Sequence, residues 1–283
     1  MIRSVGFVGL GAMGSVMAPL PVKLGYRVTG FDPATTLNEQ SGVYLALKLE
    51  DLVTCDAIIL MLPDGKTVAK VATNLASAGF RGIVIDMSSS QPRGTIDLAK
   101  RLGKKLIRLI DAPVSGGQKK AAVGTLMIMA GGKQEELDEI RSLLGCFGNV
   151  VHVGPLGAGH AMKALNNYVS AAGLLASMQA LATAQSLGIH PETFTKVING
   201  STGRNNTTEV KLEPFIISRS YASGFSLQLM AKDVGIASEL ITDAGFDAPT
   251  TDALNDYLMT AVETLNANID HTGLYEMVNP NKT

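Results

Sequence analysis

Residues 157–167, "GAGHAMKALNN", place one cation, Lys163, in a small, apolar and amide-bearing stretch. Asn167 follows four residues later, so on a helix the ammonium and the carboxamide share a face. A lysine can give or take a proton in catalysis if its pKa falls from about 10.4 toward working pH. A helix beginning near Ala158 pushes that way, because its positive N-terminal end disfavours a nearby cation. The plainer alternative is a lysine that threads its stem to solvent. His160, three residues before Lys163, is expected to line a cleft or face solvent.

A second group of residues suits a phosphate-bearing cofactor. "VGLGAMG" carries Gly9, Gly11 and Gly14 in a G-x-G-x-x-G pattern after an apolar run and before a helix-like segment. Gly9 allows a tight turn, Gly11 a close approach to pyrophosphate, and Gly14 close helix–strand packing. Leu10, Ala12 and Met13 fill the loop between them. Asp32, in "GFDP", lies eighteen residues after Gly14, where a carboxylate can accept hydrogen bonds from the ribose hydroxyls of NAD. "PATTLNE" then offers no Lys or Arg for a 2′-phosphate, so NAD is expected over NADP. Pro19 and Pro21 fall where the first helix should continue, and an interior proline breaks the hydrogen-bond ladder at a cost of about 3 kcal/mol. A third turn, Ser115-Gly116-Gly117, presents a hydroxyl and backbone amides suited to a carboxylate. Lys119 and Lys120 beside it read as solvated charges.

These groups need a scaffold of adequate size. The chain has 283 residues, 46% hydrophobic and 17% charged, enough for a substantial core. Length beyond roughly 250 residues points to two domains. Lys plus Arg number 24 against 25 Asp plus Glu, a balance that suggests no nucleic-acid footprint or anionic membrane surface, and small molecules are the expected partners. Cys55 and Cys146 form no disulfide framework or metal spacing. No His, Cys or acidic group has ligand spacing, so no metal is expected. The N-terminus lacks signal-peptide features, and a cytoplasmic location is expected. Residues 168–188 could pass for a membrane span, but Ser170, Ser177, Gln179, Thr183 and Gln185 favour a buried helix between domains.

Along the chain, "SVGFVGL", "RVTGFD", "AIILMLP", "GIVIDMS", "LIRLIDA", "GTLMIMAGG" and "NVVHVG" read as strands alternating with helical segments. Several are continuous apolar runs, as expected of strands covered on both faces. The pattern predicts an α/β fold: an N-terminal Rossmann domain with a doubly wound, mostly parallel sheet, followed by an all-helical C-terminal domain. Domain limits of 1–157 and 158–283 follow from where strand signals stop. Helices are expected at 158–187, 191–199, 226–244 and 250–267, with "NGSTGRNN" as a loop.

The ordered motifs "GFVGLGAMGSVMA", "DAPVSGG" at 111–117, "GPLGAGHAMKALNN" at 154–167 and "MAKDV" at 230–234 together resemble the β-hydroxyacid dehydrogenase family over essentially the whole chain. That family includes 3-hydroxyisobutyrate dehydrogenase, tartronate semialdehyde reductase and threonate dehydrogenase, and has a C-terminal domain of the 6-phosphogluconate dehydrogenase type. The resemblance implies an oxidoreductase that moves a hydride between NAD(H) and a small anionic 3-hydroxy acid or its semialdehyde. It makes Lys163 the catalytic residue and Asn167 a substrate-orienting one. It gives Ser115, Gly116 and Gly117 the substrate carboxylate, and Lys232 the nicotinamide side. Leu62, Pro63 and Ser89 match cofactor-contacting turns, Ser89 standing where the family usually has threonine. Leu20 and Pro21 depart from the usual Asn-Leu. A homodimer or homotetramer is expected by analogy. Two other functions are a non-catalytic dinucleotide-binding scaffold and an imine reductase, and the presence of Lys163 argues against both. Met127, Asn205, Asn206 and Phe225 are candidates for shaping the pocket.

Overall fold

A computed structural model describes residues 2–35, 37–38, 41–266 and 268–280. Thr36 and Glu39 of "PATTLNE", and Ala267 at the end of the last expected helix, lie outside the described residues. The chain divides into two compact units, Met1–Lys163 and Ala164–Thr283.

The strands of the first unit are β1 (Ser4–Val8), β2 (Arg27–Phe31), β3 (Tyr44–Leu45), β4 (Ala57–Leu60), β5 (Ile83–Asp86), β6 (Arg108–Asp111), β7 (Val114–Ser115), β8 (Leu126–Gly131) and β9 (Gly148–Gly154). Among the described residues they form one nine-stranded sheet, ordered β3-β2-β1-β4-β5-β6-β8-β7 with β9 on β8. Strands β3 through β6 of that order are parallel, and β8 joins β6 antiparallel. The helices are α1 (Gly14–Met17), α2 (Pro19–Val22), α3 (Gly65–Ser77), α4 (Pro92–Gly103), α5 (Gly117–Ala122) and α6 (Gln134–Gly145).

Strand periodicity explains the two cores. Ile59, Ile85 and Ile110 point to one face, where Leu137, Ile140 and Leu144 of α6 meet them. Ile58, Leu60, Val84 and Leu109 point to the other, against Val68 and Leu75 of α3 and Leu98 of α4. Both faces are therefore apolar, which is why these strands read as unbroken hydrophobic runs. Each fully buried side chain of this size contributes roughly 1.5–3 kcal/mol. Asp64 caps α3, its carboxylate accepting the Thr67 N–H at 2.7 Å. The expected first helix is split. Pro19 supplies no N–H, so the ladder stops after α1 and α2 starts anew. Ala18 between them keeps helical dihedrals (φ −54°, ψ −33°), so the chain direction continues.

The second unit is helical. Helix α7 (Ala158–Ser186) enters it from the first, followed by α8 (Pro191–Asn199), α9 (Asn206–Val210), a π-helical turn at Leu212–Ile217, α10 (Leu227–Asp243), α11 (Pro249–Thr264) and α12 (Tyr275–Val278). Ala171, Leu174, Met178 and Leu181 recur at helical spacing and bury against Met230 and Val234 of α10 and Leu254 and Leu258 of α11. Among the described residues, no helix is long and apolar enough to cross a membrane.

His271 is sunk in this unit, 2% exposed, edge-on to Phe225 and with Nδ1 2.9 Å from the Phe225 carbonyl oxygen. Burial, aided by the Lys211 charge, pushes its pKa down from 6.5 to about 4. The folded state therefore refuses a proton that the unfolded chain accepts. Stability should fall as pH drops from 6.5 toward about 4, by roughly 3 kcal/mol in all. Thermal unfolding followed across that range should lose most of this slope in His271→Gln.

Candidate active site

The glycine loop is held by backbone contacts that exclude side chains. Gly9 has φ +94°, and a Cβ there would lie 2.2 Å from the Met61 carbonyl oxygen. A Cβ on Gly14 would lie 1.8 Å from the Gly9 carbonyl oxygen, so the loop folds back directly onto the start of α1. Gly11 differs: a Cβ there would meet nothing within 4 Å. Its exposed backbone is open to a ligand. Because α1 spans a single turn, the loop amides rather than a long helix dipole are the available anion donors.

Asp32, at the end of β2, braces this loop. Its Oδ2 accepts the Leu10 N–H at 2.7 Å, and its Oδ1 accepts the amides of Ala34 and Thr35 at 2.8 and 3.0 Å. The carboxylate is thus both a turn-former and a tie between the ends of β1 and β2. An ionised carboxylate has about four acceptor sites, so three amides leave capacity for a hydroxyl.

Hydrogen bonds bring other sequence-identified turns together in pairs. The Gln118 side chain, directly after Gly117, donates to the Ala12 carbonyl at 2.6 Å. The glycine loop and the Ser115-Gly116-Gly117 turn are therefore neighbours. Gly116 and Gly117 both have positive φ, 141° and 67°, which turns the chain sharply from β7 into α5. Lys119 and Lys120 are exposed. The Leu62 N–H donates to Ser88 Oγ at 2.9 Å, joining the Leu62-Pro63 turn after β4 to the Ser88-Ser89 turn after β5.

Lys163 lies in the second turn of α7 and is partly buried. In the second unit, Asn167 donates from Nδ2 to Asp233 Oδ2 at 2.6 Å and accepts at Oδ1 from Asn166 Nδ2 at 3.0 Å. A carboxylate only accepts, so Asp233, 1% exposed, sets which way the Asn167 amide faces. Lys232 Nζ is 3.8 Å from Asp233 Oδ1. Asp233 stands in "MAKDV" but received no role from the sequence. The signal was a charge inside an apolar helical face, which demands a partner.

His160 corrects the sequence expectation. It neither lines an opening nor faces solvent: it is 1% exposed, in a polar cluster with Asp86, Asp111 and Thr95. Asp111 accepts the Gly157 and His160 amides, each at 2.8 Å. Burial raises the Asp111 pKa, opposed by His160 and by those two amides. Asp86 and Asp111 end the strands "IVID" and "RLID" after buried apolar residues, and a buried carboxylate in that position must find donors.

Known proteins resemble this chain in sequence and in fold. Residues 4–154 match the family model described as the NAD binding domain of 6-phosphogluconate dehydrogenase. Residues 157–278 match the one described as the NAD-binding domain of NADP-dependent 3-hydroxyisobutyrate dehydrogenase. The 2-(hydroxymethyl)glutarate dehydrogenase of Eubacterium barkeri is 34% identical over 256 residues, covering 87% of this chain and 85% of its own. The Mycobacterium tuberculosis 3-hydroxyisobutyrate dehydrogenase, solved with L-serine, superposes with a TM-score of 0.88 at 30% identity, over 98% of this chain and 99% of its own. An imine reductase variant from Myxococcus stipitatus in complex with NAD+ shares the fold alone, at TM-score 0.66 and 18% identity over 98% of this chain and 99% of its own.

The glycine geometry separates packing from access. Gly14→Ala forces backbone apart and should destabilise by roughly 1–3 kcal/mol, a drop of roughly 3–10 °C in Tm. Gly11→Ala adds a methyl to open space and should leave Tm close to native. Differential scanning calorimetry of the two variants checks both.

Proposed function

The chain belongs to the β-hydroxyacid dehydrogenase family and is an NAD-dependent hydroxyacid dehydrogenase; on that premise we propose that it moves a hydride between NAD(H) and a small anionic 3-hydroxy acid or its semialdehyde, with Lys163 as general acid and base. Residues 1–157 serve as the cofactor domain and 158–283 as the substrate and oligomerisation domain of a homodimer or homotetramer. The observation that carries this reading is Lys163 and Asn167 on one face of α7, with Asn167 oriented by buried Asp233.

Reduction of a carbonyl needs a hydride at carbon and a proton at oxygen, and oxidation needs a base for the alcohol proton. Lys163 supplies the proton in one direction and removes it in the other. Asn167 turns one N–H of its amide to Asp233, and the second is the donor assigned to the substrate oxygen. Ser115, Gly116 and Gly117 receive the substrate carboxylate through hydroxyl and amides. Gly9, Leu10, Gly11, Ala12, Met13 and Gly14 bind the pyrophosphate, Asp32 the ribose, and Leu62, Pro63, Ser89 and Lys232 the remaining cofactor surface. When bound, NAD(H) supplies or accepts the hydride itself. The open space at Gly11 and the spare acceptor capacity of Asp32 fit such a ligand.

An imine reductase reading lacks a comparable observation, since a likeness at 18% identity speaks to fold alone. NADH absorbance with 3-hydroxyisobutyrate, L-serine and 2-(hydroxymethyl)glutarate, the compounds named by the relatives, tests the substrate class. Lys163→Ala should lower kcat by about 10²-fold or more. Lys163→Arg should fail as well, because a guanidinium keeps its proton at any working pH. Single-turnover hydride transfer at the native rate in Lys163→Ala would remove the lysine from the mechanism. Native enzyme should prefer NADH over NADPH in kcat/KM, and Asp32→Ala should narrow that ratio. A native preference for NADPH would refute the ribose assignment.

A further inference from the structure

Two carboxylates and an imidazole lie buried where α7 leaves the sheet, and the hydride-transfer chemistry above uses none of them. Asp86 and Asp111 are register partners at the ends of β5 and β6, 1% and 0% exposed. His160 projects between them, with Nε2 3.5 Å from Asp86 Oδ2 and Nδ1 3.7 Å from Asp111 Oδ2. Thr95 Oγ1 of α4 is 2.9 Å from the same Nδ1. Asp86 is held in turn by the Ser88 N–H and the Ser90 hydroxyl, both at 2.9 Å. Strands β5 and β6 and helices α4 and α7 thus meet in one cluster.

The use of this cluster follows from what Asp111 binds. The first amides of a helix have no helical acceptor. Gly157 and His160 give two of these to Asp111, one to each carboxylate oxygen. A residue more than forty positions earlier therefore does the work of a capping side chain. The approach is close enough that a Cβ on Gly159 would lie 2.8 Å from Asp111 Oδ2 and 2.3 Å from the Met129 carbonyl oxygen. A Cβ on Gly131 would lie 2.5 Å from Asp111 Oδ1. The helix start has little room to move relative to the sheet.

Lys163 comes three residues after His160, about 4.5 Å along the axis at the usual rise. A displacement of the first turn is carried directly to its Cα. Reactive groups tolerate little error, and a shift of about 1 Å can cost 10²-fold in rate. We propose that Asp111, packed against a His160 ring that Thr95 holds and Asp86 flanks, is a positioning residue for Lys163, fixing the first turn of α7 to the sheet end. The proposal rests on the reading of Lys163 as the proton carrier.

Asp111→Asn is the direct test. Its amide accepts one helix N–H but turns an NH2 toward the other, pushing the first turn away. The measurement is kcat and KM with the best substrate among 3-hydroxyisobutyrate, L-serine and 2-(hydroxymethyl)glutarate, for native enzyme, Asp111→Asn, Lys163→Ala and the double variant. Asp111→Asn should lose roughly 10- to 100-fold in kcat, with KM and NADH affinity within about threefold of native. In the Lys163→Ala background the same substitution should cost less than about twofold, because there is no lysine left to misplace. Thr95→Val removes a hydroxyl next to His160 and leaves every buried charge in place. It should lose about three- to tenfold in kcat, again only when Lys163 is present, and it carries the test if Asp111→Asn does not fold. Native kcat in Asp111→Asn or Thr95→Val, alongside an impaired Lys163→Ala, overturns the positioning role and leaves the proton carrier standing. Losses that multiply in the double variant also overturn it, as the mark of a general structural defect. Native kcat in Lys163→Ala fails the underlying reading, and the positioning proposal with it.

Discussion

Two backbone amides at the start of α7 have no acceptor within the helix, and Asp111 supplies both. A carboxylate buried this deeply carries a desolvation cost that only well-aligned donors offset. The same bonds that satisfy the charge therefore fix where the helix begins. Glycines at 131 and 159 make the contact possible, since a side chain at either would strike the carboxylate or a carbonyl. The position of every residue in the first turns of α7 depends on this one strand-to-helix junction.

The rest of the first unit follows a similar division between apolar interior and polar strand ends. Within β4, β5 and β6, alternate apolar side chains go to opposite cores, β5 stays apolar until Asp86, and in β6 Leu109 and Ile110 lie between exposed Arg108 and buried Asp111. The polar groups then appear together at the C-terminal ends: Asp32 after β2, Ser88 after β5, and Asp86 and Asp111 closing their strands. That is the edge at which parallel α/β sheets bind ligands. Here each polar group has first to satisfy a loop amide, so the ligand-binding edge is also the hydrogen-bonding scaffold of its own loops. Asp32 illustrates the double duty, bracing Leu10 while retaining acceptor capacity.

Much of this was legible from sequence, for identifiable reasons. All seven expected segments contain strands, and the plainest, β1, β4 and β5, are runs buried on both faces, for which continuous hydrophobicity over four or five residues has few other uses. The helices at 158–186 and 191–199 end where glycine and polar residues say they should. The two-residue strands Tyr44–Leu45 and Val114–Ser115 had no periodicity to announce them. The π-helical turn at Leu212–Ile217 depends on tertiary packing of Leu212 and Ile216, not on local preference. His160 was misplaced because neighbouring residues gave no hint that two carboxylates, 49 and 74 positions earlier, would converge on it. Long-range polar pairing has no sequence period.

The geometry of Lys163 and Asn167 shows how a helix converts two separate constraints into one. Asp111 acts on the first turn of α7, and Asp233 on the Asn167 amide one turn beyond Lys163. The backbone ladder spaces residues 163 and 167 by about 6 Å along the axis and about 40° around it. Anchoring the first turn sets where the ammonium stem begins, while anchoring the amide sets which way its donors face. A lysine side chain with four rotatable bonds gains little from a fixed helix unless its partner group is equally fixed. Asp111 of β6, at the first turn of α7, and Asp233 of α10, at Asn167, meet that requirement, one through the helix backbone and the other through the amide.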